Sequence, residues 1–297
     1  MIDIGGNFII LIDQTTKTLV QGITGREGRF HTEQMLKYGT RILAGVTPGK
    51  GGDEISNVPV FNKVNEALES FSEINSTIIF VPAKFCKTAA LEAIEARIKL
   101  IVIITEGLPL LDELNLINLA KKQNLIVIGP NTAGIISPKA KCKLGIMPEQ
   151  FFPEGKIGIC SRSGTLMYEI VINLKKYGIS TAVGIGGDPV IGTSFVEVLR
   201  MFNEDPETKA IVLIGEIGGN MEEKAAEFIK KEMKKPVIGY IAGRTIKIEG
   251  KRFGHAGALI SSGGYGTAQH KIKEFESIGV RIANVPSDIP KILEEIL

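Results

Sequence analysis

His255 is one of only three histidines in the chain, and it lies in a glycine-rich run, "KRFGHAGALISSGGYGT", over residues 251–267. The nearby glycines allow positive φ values, so the pattern predicts a loop that presents the imidazole. An imidazole can act as a nucleophile when a carboxylate holds its other ring nitrogen. A single loop histidine is weak evidence for catalysis, but two other segments strengthen it.

The first of these segments is "IVLIGEIGG", in which Glu216 ends an apolar run and precedes two glycines. A carboxylate there can hold the Nδ1 proton of a nearby histidine and leave Nε2 free to attack. The second is "ICSRSGTLMYEIV", which passes from a strand to a helix through Ser163, Gly164 and Thr165. A helix start with a small residue and hydroxyl groups predicts an oxyanion or phosphate site, or only a serine cap.

A glycine loop in the first half of the chain predicts a nucleotide ligand. Gly22, Gly25 and Gly28 follow a strand and precede a helix, so backbone amides can face a pyrophosphate. The next strand is followed by "GVTPGKGGDE", which places Lys50 where an NAD site would have an acidic residue. A nucleotide with an extra phosphate fits better, and both coenzyme A (CoA) and NADP satisfy that condition.

The elements that carry these residues alternate between short β-branched runs and amphipathic stretches, as in βαβ units. Continuous apolar strands indicate parallel sheets covered on both faces. The predicted fold class is therefore α/β, with two doubly wound domains, Rossmann-like and then flavodoxin-like. The proline-rich stretch after Pro130 suggests an extended crossing, so the expected domains are 1–136 and 155–297, joined by a linker over 137–154.

Composition excludes several classes of protein. The 297 residues carry a formal charge of only +2 without a block of like charge, so no nucleic-acid partner is expected. No segment reaches the roughly 18 apolar residues of a membrane span, and the N-terminus lacks a basic signal region. Three scattered cysteines predict reduced thiols in the cytoplasm and no metal site.

The ordered motifs closely resemble those of succinyl-CoA synthetase (succinate–CoA ligase) alpha subunits, over about residues 22–297. They include "GITGREGRFHTEQMLKYGT", "GVTPGKGG", "ITEG", "GPNTAG", "SRSGTLMYE", "GIGGDP", "IGEIGG" and "GHAG".

The resemblance implies a role for each matching residue. His255 is the phosphorylated histidine, Glu216 orients it, Ser163 to Thr165 hold the phosphoryl group, and Tyr168 lies at the substrate site. The residues implied to contact CoA are Thr24, Gly25, Arg26, Glu27, Lys50, Ile104, Thr105 and Glu106.

The implied activity is the reversible reaction of succinate, CoA and a nucleoside triphosphate to succinyl-CoA, as in the tricarboxylic acid cycle. CoA is a substrate, whereas Mg²⁺ and ATP or GTP belong to an ATP-grasp beta subunit in an αβ or α2β2 assembly. Alternatives are another acyl-CoA synthetase such as malate–CoA ligase, an NADP-dependent oxidoreductase, or a CoA-sensing module without catalysis. The oxidoreductase leaves the "SRSGT", "GEIGG" and "GHAG" motifs unexplained.

Overall fold

The structure, a computed structural model, describes residues 10–244 and 266–297. The first of its two sheets has the strand order β3-β4-β2-β1-β5-β6-β7 and is parallel except for the β3–β4 pair. This is the Rossmann order, with its switch point between β1 and β5. The elements are β1 (Lys17–Gln21), α1 (Arg26–Tyr38), β2 (Arg41–Val46), β3 (Glu54–Ile55), β4 (Val58–Phe61), α2 (Val64–Ser70), β5 (Ser76–Ile79), α3 (Ala83–Glu95), β6 (Leu100–Ile103), α4 (Leu110–Lys122) and β7 (Ile126–Ile128).

The second sheet has the strand order β14-β13-β12-β10-β11-β8-β9. Its five strands from β10 onward are parallel in the flavodoxin order, with a switch point between β10 and β12. The elements are β8 (Gly134–Ser137), β9 (Cys142–Gly145), β10 (Glu154–Ser161), α5 (Gly164–Asn173), β11 (Ile179–Gly184), α6 (Phe195–Glu204), β12 (Ala210–Glu216), α7 (Met221–Glu232), β13 (Val237–Ala242), α8 (Ala268–Ser277), β14 (Arg281–Ile282) and α9 (Ile289–Ile296), with 3-10 turns at Glu149–Phe151 and Pro286–Asp288.

Burial explains why the central strands read as uninterrupted apolar runs. Every residue of β6 and of β12 is buried, because helices cover both faces of each sheet. The predicted α/β class with two doubly wound sheets is therefore confirmed.

The segment expected to be a linker, residues 137–154, contains more regular structure than its prolines suggested. β8 and β9 form a hairpin that pairs antiparallel with β11 and so extends the second sheet. The strands can approach closely because Gly134, at φ +96°, has no Cβ. A Cβ at this position would lie only 2.0 Å from the Leu144 carbonyl oxygen. Pro138 lies in the turn between the strands and so leaves their pairing intact. The position of the domain boundary stays a prediction.

A pair of buried carboxyl groups links helix α4 to the second sheet. Glu113 and Asp188 are each 2% exposed, and Asp188 follows β11. The Asn131 amide donates a hydrogen bond of 2.9 Å to Asp188 Oδ1. Burial, followed by the charge and hydrogen bond of Asp188, raises the pKa of Glu113 to about 7. Below about pH 7, a proton that Glu113 shares with Asp188 therefore offsets the repulsion between the two carboxyl groups.

Glu113 is predicted to make folding stability depend on pH. Its pKa in the folded chain lies above the ordinary 4.5, so the folded state binds more protons between these values and the free energy of unfolding falls as pH rises through that window. Glu113→Gln replaces the shared proton with an amide donor. We expect it to increase the free energy of unfolding at pH 8 by about 1 kcal/mol and to flatten the dependence in denaturant unfolding from pH 5 to 8.

The matched control is Asp112→Asn, which alters the neighbouring acid that pairs with Lys87. It should retain the wild-type pH dependence. A Glu113→Gln chain whose stability still falls between pH 5 and 8 like that of the wild type would contradict the shared-proton assignment.

Candidate functional site

The predicted glycine loop lies at the carboxyl end of β1, beside the switch point of the first sheet. Gly22 has φ +81° and donates to the Val46 carbonyl oxygen at 2.8 Å, so the chain turns away from the sheet after the strand. Helix α1 then begins at Arg26, and Gly25, Arg26 and Glu27 are exposed at its start. A helix N-terminus at this point presents backbone N–H groups toward solvent at the ligand-binding edge.

The turn that contains Lys50 is fixed beside this loop. The Asn62 side-chain oxygen accepts from Gly49 and Gly51 at 2.9 and 3.0 Å, so it fixes the backbone on both sides of exposed Lys50. Thr24 donates to the Thr47 hydroxyl at 3.1 Å and so connects the two segments. The cation and the glycine loop therefore face solvent at the same sheet edge.

The third predicted segment, residues 104–106, lies at the same edge. Ile104 donates its backbone N–H to the Ile79 carbonyl oxygen at 3.3 Å. The Thr105 hydroxyl donates to the Val81 carbonyl oxygen at 2.7 Å, and Glu106 is exposed. All three segments implied to contact CoA thus extend from the carboxyl ends of parallel strands, but their contacts with CoA stay predictions.

A short segment after β7, Asn131–Ala133, connects this edge to the carboxyl edge of the second sheet. The Asn131 N–H donates to the Thr105 carbonyl oxygen at 3.0 Å. The Thr132 hydroxyl donates to the Gly184 carbonyl oxygen at 2.5 Å. The ligand-binding edges of the two sheets are therefore adjacent.

The predicted phosphate-binding residues lie where this segment meets α5. A Cβ on Gly164 would lie 3.0 Å from Cβ of Ala133, so the helix start packs on the connecting segment. Ser163 Oγ accepts from the Leu166 N–H at 3.3 Å, so Ser163 is the N-cap of α5. The hydroxyl can still donate its proton to an anion, and Thr165 is exposed beside it.

Tyr168 lies one turn along the same helix. Its hydroxyl is 3.9 Å from a Cβ built on Gly164, and its ring packs edge-on against Phe152. Burial raises the pKa of Tyr168 to about 12, so the hydroxyl remains a neutral donor at physiological pH. A substrate role for Tyr168 is compatible with this position and stays a prediction.

Glu216 ends β12 at the switch point of the second sheet and is 8% exposed. Arg162, which links β10 to α5, places Nη2 3.2 Å from Glu216 Oε1. His255 lies outside the described residues, but the residues on either side of residues 245–265 are near Glu216. Ala242 is the register partner of Glu216, and the Gly266 carbonyl oxygen accepts from the Gly218 N–H at 2.7 Å.

Sequence reasoning missed the charged residues buried behind Glu216. Arg162, Glu222 and Lys271 form ion pairs although Arg162 is 2% exposed and the other two are fully buried. One signal was present in the sequence. Lys271 occupies the apolar stripe of α8, between Ala268 and Phe275 at helical spacing, where a lysine requires a buried partner.

Residues 10–244 and 266–297 lack two further features. No helix in these ranges is long and apolar enough to cross a membrane. The same ranges contain no group of three or more His, Cys, Asp or Glu side chains arranged to bind a metal ion.

Known protein families and relatives match nearly the whole chain. A family described as "CoA binding domain" matches residues 13–107, and one described as "CoA-ligase" matches residues 160–280. An Archaeoglobus fulgidus succinate–CoA ligase [ADP-forming] subunit alpha 2 is 57% identical over 97% of this chain and 99% of its own length. The chain belongs to the succinate–CoA ligase alpha subunit family. The Staphylococcus aureus member, succinate–CoA ligase [ADP-forming] subunit alpha, is 52% identical over 96% of this chain and 94% of its own length.

Solved structures share the fold of this alpha-subunit family member. ATP citrate lyase from Methanothrix soehngenii, in complex with citrate and coenzyme A, aligns with a TM-score of 0.87 and 24% identity over 97% of this chain. This chain spans 50% of that longer chain. A dinucleotide-forming acetyl-coenzyme A synthetase 1 from Ca. Korarchaeum cryptofilum aligns with a TM-score of 0.73 and 21% identity, over 92% of this chain and 59% of its own length.

The start of α1 packs so closely on the glycine loop that Gly28 cannot carry a side chain without rearrangement. A Cβ there would lie 2.1 Å from the Gly22 carbonyl oxygen. We therefore predict that Gly28→Ala lowers the free energy of unfolding by about 2 kcal/mol. Arg29→Ala, at the exposed neighbouring position, is the control and should have little effect in denaturant unfolding. Equal stability of the Gly28→Ala and wild-type chains would contradict this packing.

Proposed function

We propose that this chain is the alpha subunit of a succinate–CoA ligase, which forms succinyl-CoA reversibly from succinate, CoA and a nucleoside triphosphate. The observation that carries the proposal is the 57% identity to a succinate–CoA ligase alpha subunit over 97% of the chain. The adjacent carboxyl edges of the two sheets support it, because the reaction must bring the CoA thiol and a phosphoryl group to one place.

The first sheet edge binds CoA in this proposal. Lys50 attracts the 3′-phosphate, while the exposed start of α1 and the loop before it face the pyrophosphate. Ile104 to Glu106 lie further along the same edge, toward the segment that leads to the second sheet. The thiol end of CoA extends along this path to the start of α5.

The second sheet edge carries out phosphoryl transfer. Nε2 of His255 attacks the γ-phosphorus of the nucleotide, the bond to the leaving diphosphate breaks, and Glu216 holds the Nδ1 proton. A succinate carboxylate oxygen then attacks the phosphorus, the P–N bond breaks and succinyl phosphate forms. The CoA thiolate attacks its carbonyl carbon and releases phosphate. The start of α5, at Ser163 to Thr165, offers hydrogen-bond donors to the transferred phosphoryl group, and Tyr168 lies beside the bound succinate.

The nucleotide site belongs to a beta subunit in this proposal, since the relatives are alpha subunits by name. An ATP-grasp partner would bind ATP or GTP with Mg²⁺, whose charge offsets that of the phosphates. The complex would be αβ or α2β2 and act in the cytoplasm, in the tricarboxylic acid cycle.

Lys50→Glu tests the CoA site. Replacing an attractive charge with a repulsive one near a phosphate should weaken CoA binding by about 10-fold or more. The loss should be smaller for 3′-dephospho-CoA in calorimetry. Lys37→Glu makes the same charge change near the C-terminal end of α1, remote from that edge, and is the control. Equal losses for both ligands would contradict the assignment of Lys50 to the 3′-phosphate.

Labelling tests the transfer step. With the beta subunit and γ-labelled ATP or GTP, one acid-labile, base-stable phosphate should form on His255, and succinate with CoA should remove it. His255→Asp should abolish labelling, and Glu216→Gln should slow it by about 10-fold or more, because an amide stabilises the imidazolium-like transition state less well. Without the beta subunit, this chain should form no succinyl-CoA from succinate, CoA and ATP or GTP. Label on a serine or on the partner would overturn the mechanism.

A further inference from the structure

A cluster of buried charges lies behind Glu216, contributed by three separate parts of the second sheet's fold. Arg162 precedes α5, Glu222 and Glu223 are in the first turn of α7, and Lys271 is on α8. The side chains of Arg162, Glu222 and Lys271 are 1%, 0% and 0% exposed. Charges buried this deeply are retained only when each has partners of the opposite sign.

Glu222 is the acceptor that the two cations share. Its Oε1 lies 3.4 Å from Arg162 Nη1, and its Oε2 pairs with Lys271 Nζ. The Gly218 carbonyl oxygen accepts from the same two side chains, at 3.2 Å from Arg162 Nη1 and 2.9 Å from Lys271 Nζ. Glu222 Oε1 also accepts from the backbone N–H of Glu216 at 3.1 Å. The cluster therefore fixes the backbone on both sides of Ile217.

The two ends of the Arg162 guanidinium have different partners. Nη1 is held by Glu222 and Gly218, whereas Nη2 faces Glu216 Oε1 at 3.2 Å. Among the residues that the structure describes, Nε and Nη2 have no acceptor with hydrogen-bond geometry. Lys271 also lies 3.4 Å from Glu223 Oε2, so it shares the negative charge of α7 with Arg162. Without Lys271, Arg162 would be the only cationic side chain, among the residues that the structure describes, that pairs with Glu216 and Glu222.

We infer that Arg162 is a positioning residue for the reaction, which fixes the carboxylate of Glu216, and that Glu222 and Lys271 hold Arg162 in place. The inference rests on the proposed function, in which Glu216 orients the reactive histidine. Arg162 acts only through Glu216. Its effect on phosphoryl transfer should therefore disappear when the Glu216 carboxylate is absent.

A double-mutant cycle on the αβ complex tests this dependence. We expect Arg162→Lys to slow phosphorylation of His255 by about 10-fold, because the shorter ammonium loses the two-ended contact. In a Glu216→Gln background the same change should have little further effect. CoA affinity, measured by calorimetry at the first sheet edge, should be unchanged in all four chains.

Lys271→Met provides a second test if Arg162→Lys does not fold. It leaves Glu222 paired with Arg162 alone, which should draw the guanidinium from Glu216 and slow phosphorylation about 5-fold. The matched control is Lys143→Met, which also removes a buried lysine that pairs with a glutamate, here the partly exposed Glu149, but Lys143 lies in the β8–β9 hairpin of the second sheet. That control should lower the melting temperature without slowing phosphorylation.

Equal slowing by Arg162→Lys with and without the Glu216 carboxylate would overturn the inference. So would equal slowing by Lys271→Met and Lys143→Met, which would indicate general destabilisation. Failure of the proposed function looks different, because the wild-type complex would then carry no label on His255.

Discussion

The geometry of the candidate site depends on the short segment Asn131–Ala133, which holds the carboxyl edges of two parallel sheets together. Its backbone bonds to Thr105 on one side, and the Thr132 hydroxyl bonds to Gly184 on the other. Open α/β sheets bind ligands at these edges, so each sheet alone would offer one half of a two-substrate site. A hydrogen-bonded contact of three residues therefore brings two ligand-binding edges together.

The charged groups at the two sheet edges differ in their exposure to solvent. The groups that we propose to contact CoA, such as Arg26 and Lys50, are exposed, so water screens their charges in the absence of a ligand. The charges around Glu216 are buried and paired, so their interactions are strong and their geometry is fixed before any substrate binds. Ligand capture suits the first arrangement, whereas stabilising a transferred phosphoryl group suits the second.

Much of the fold could be predicted because its strands are buried on both faces and so appear as continuous apolar runs. The positions of the glycine loop, Glu216 and the start of α5 at the ends of such strands were predictable for the same reason, whereas the ligands of these residues stay predictions. The β3–β4 hairpin was not predicted because its strands are short and contain Pro59. The β8–β9 hairpin was hidden by prolines that lie outside its strands. The partners of Arg162 were not predictable because Gly218 and Glu222 lie 56 and 60 positions further along the chain, and only the folded chain brings them to Arg162.

The short outer strands of both sheets limit how this chain can associate with others. β3 and β14 have two residues each, and β7 has three, with the Val127 carbonyl oxygen already bonded to the Thr193 hydroxyl at 2.8 Å. Strand addition from another polypeptide needs a longer row of available backbone groups. Within residues 10–244 and 266–297, these three borders therefore resist fibril-like stacking. At these three borders, a partner chain would therefore contact side chains and loops and would not add a strand.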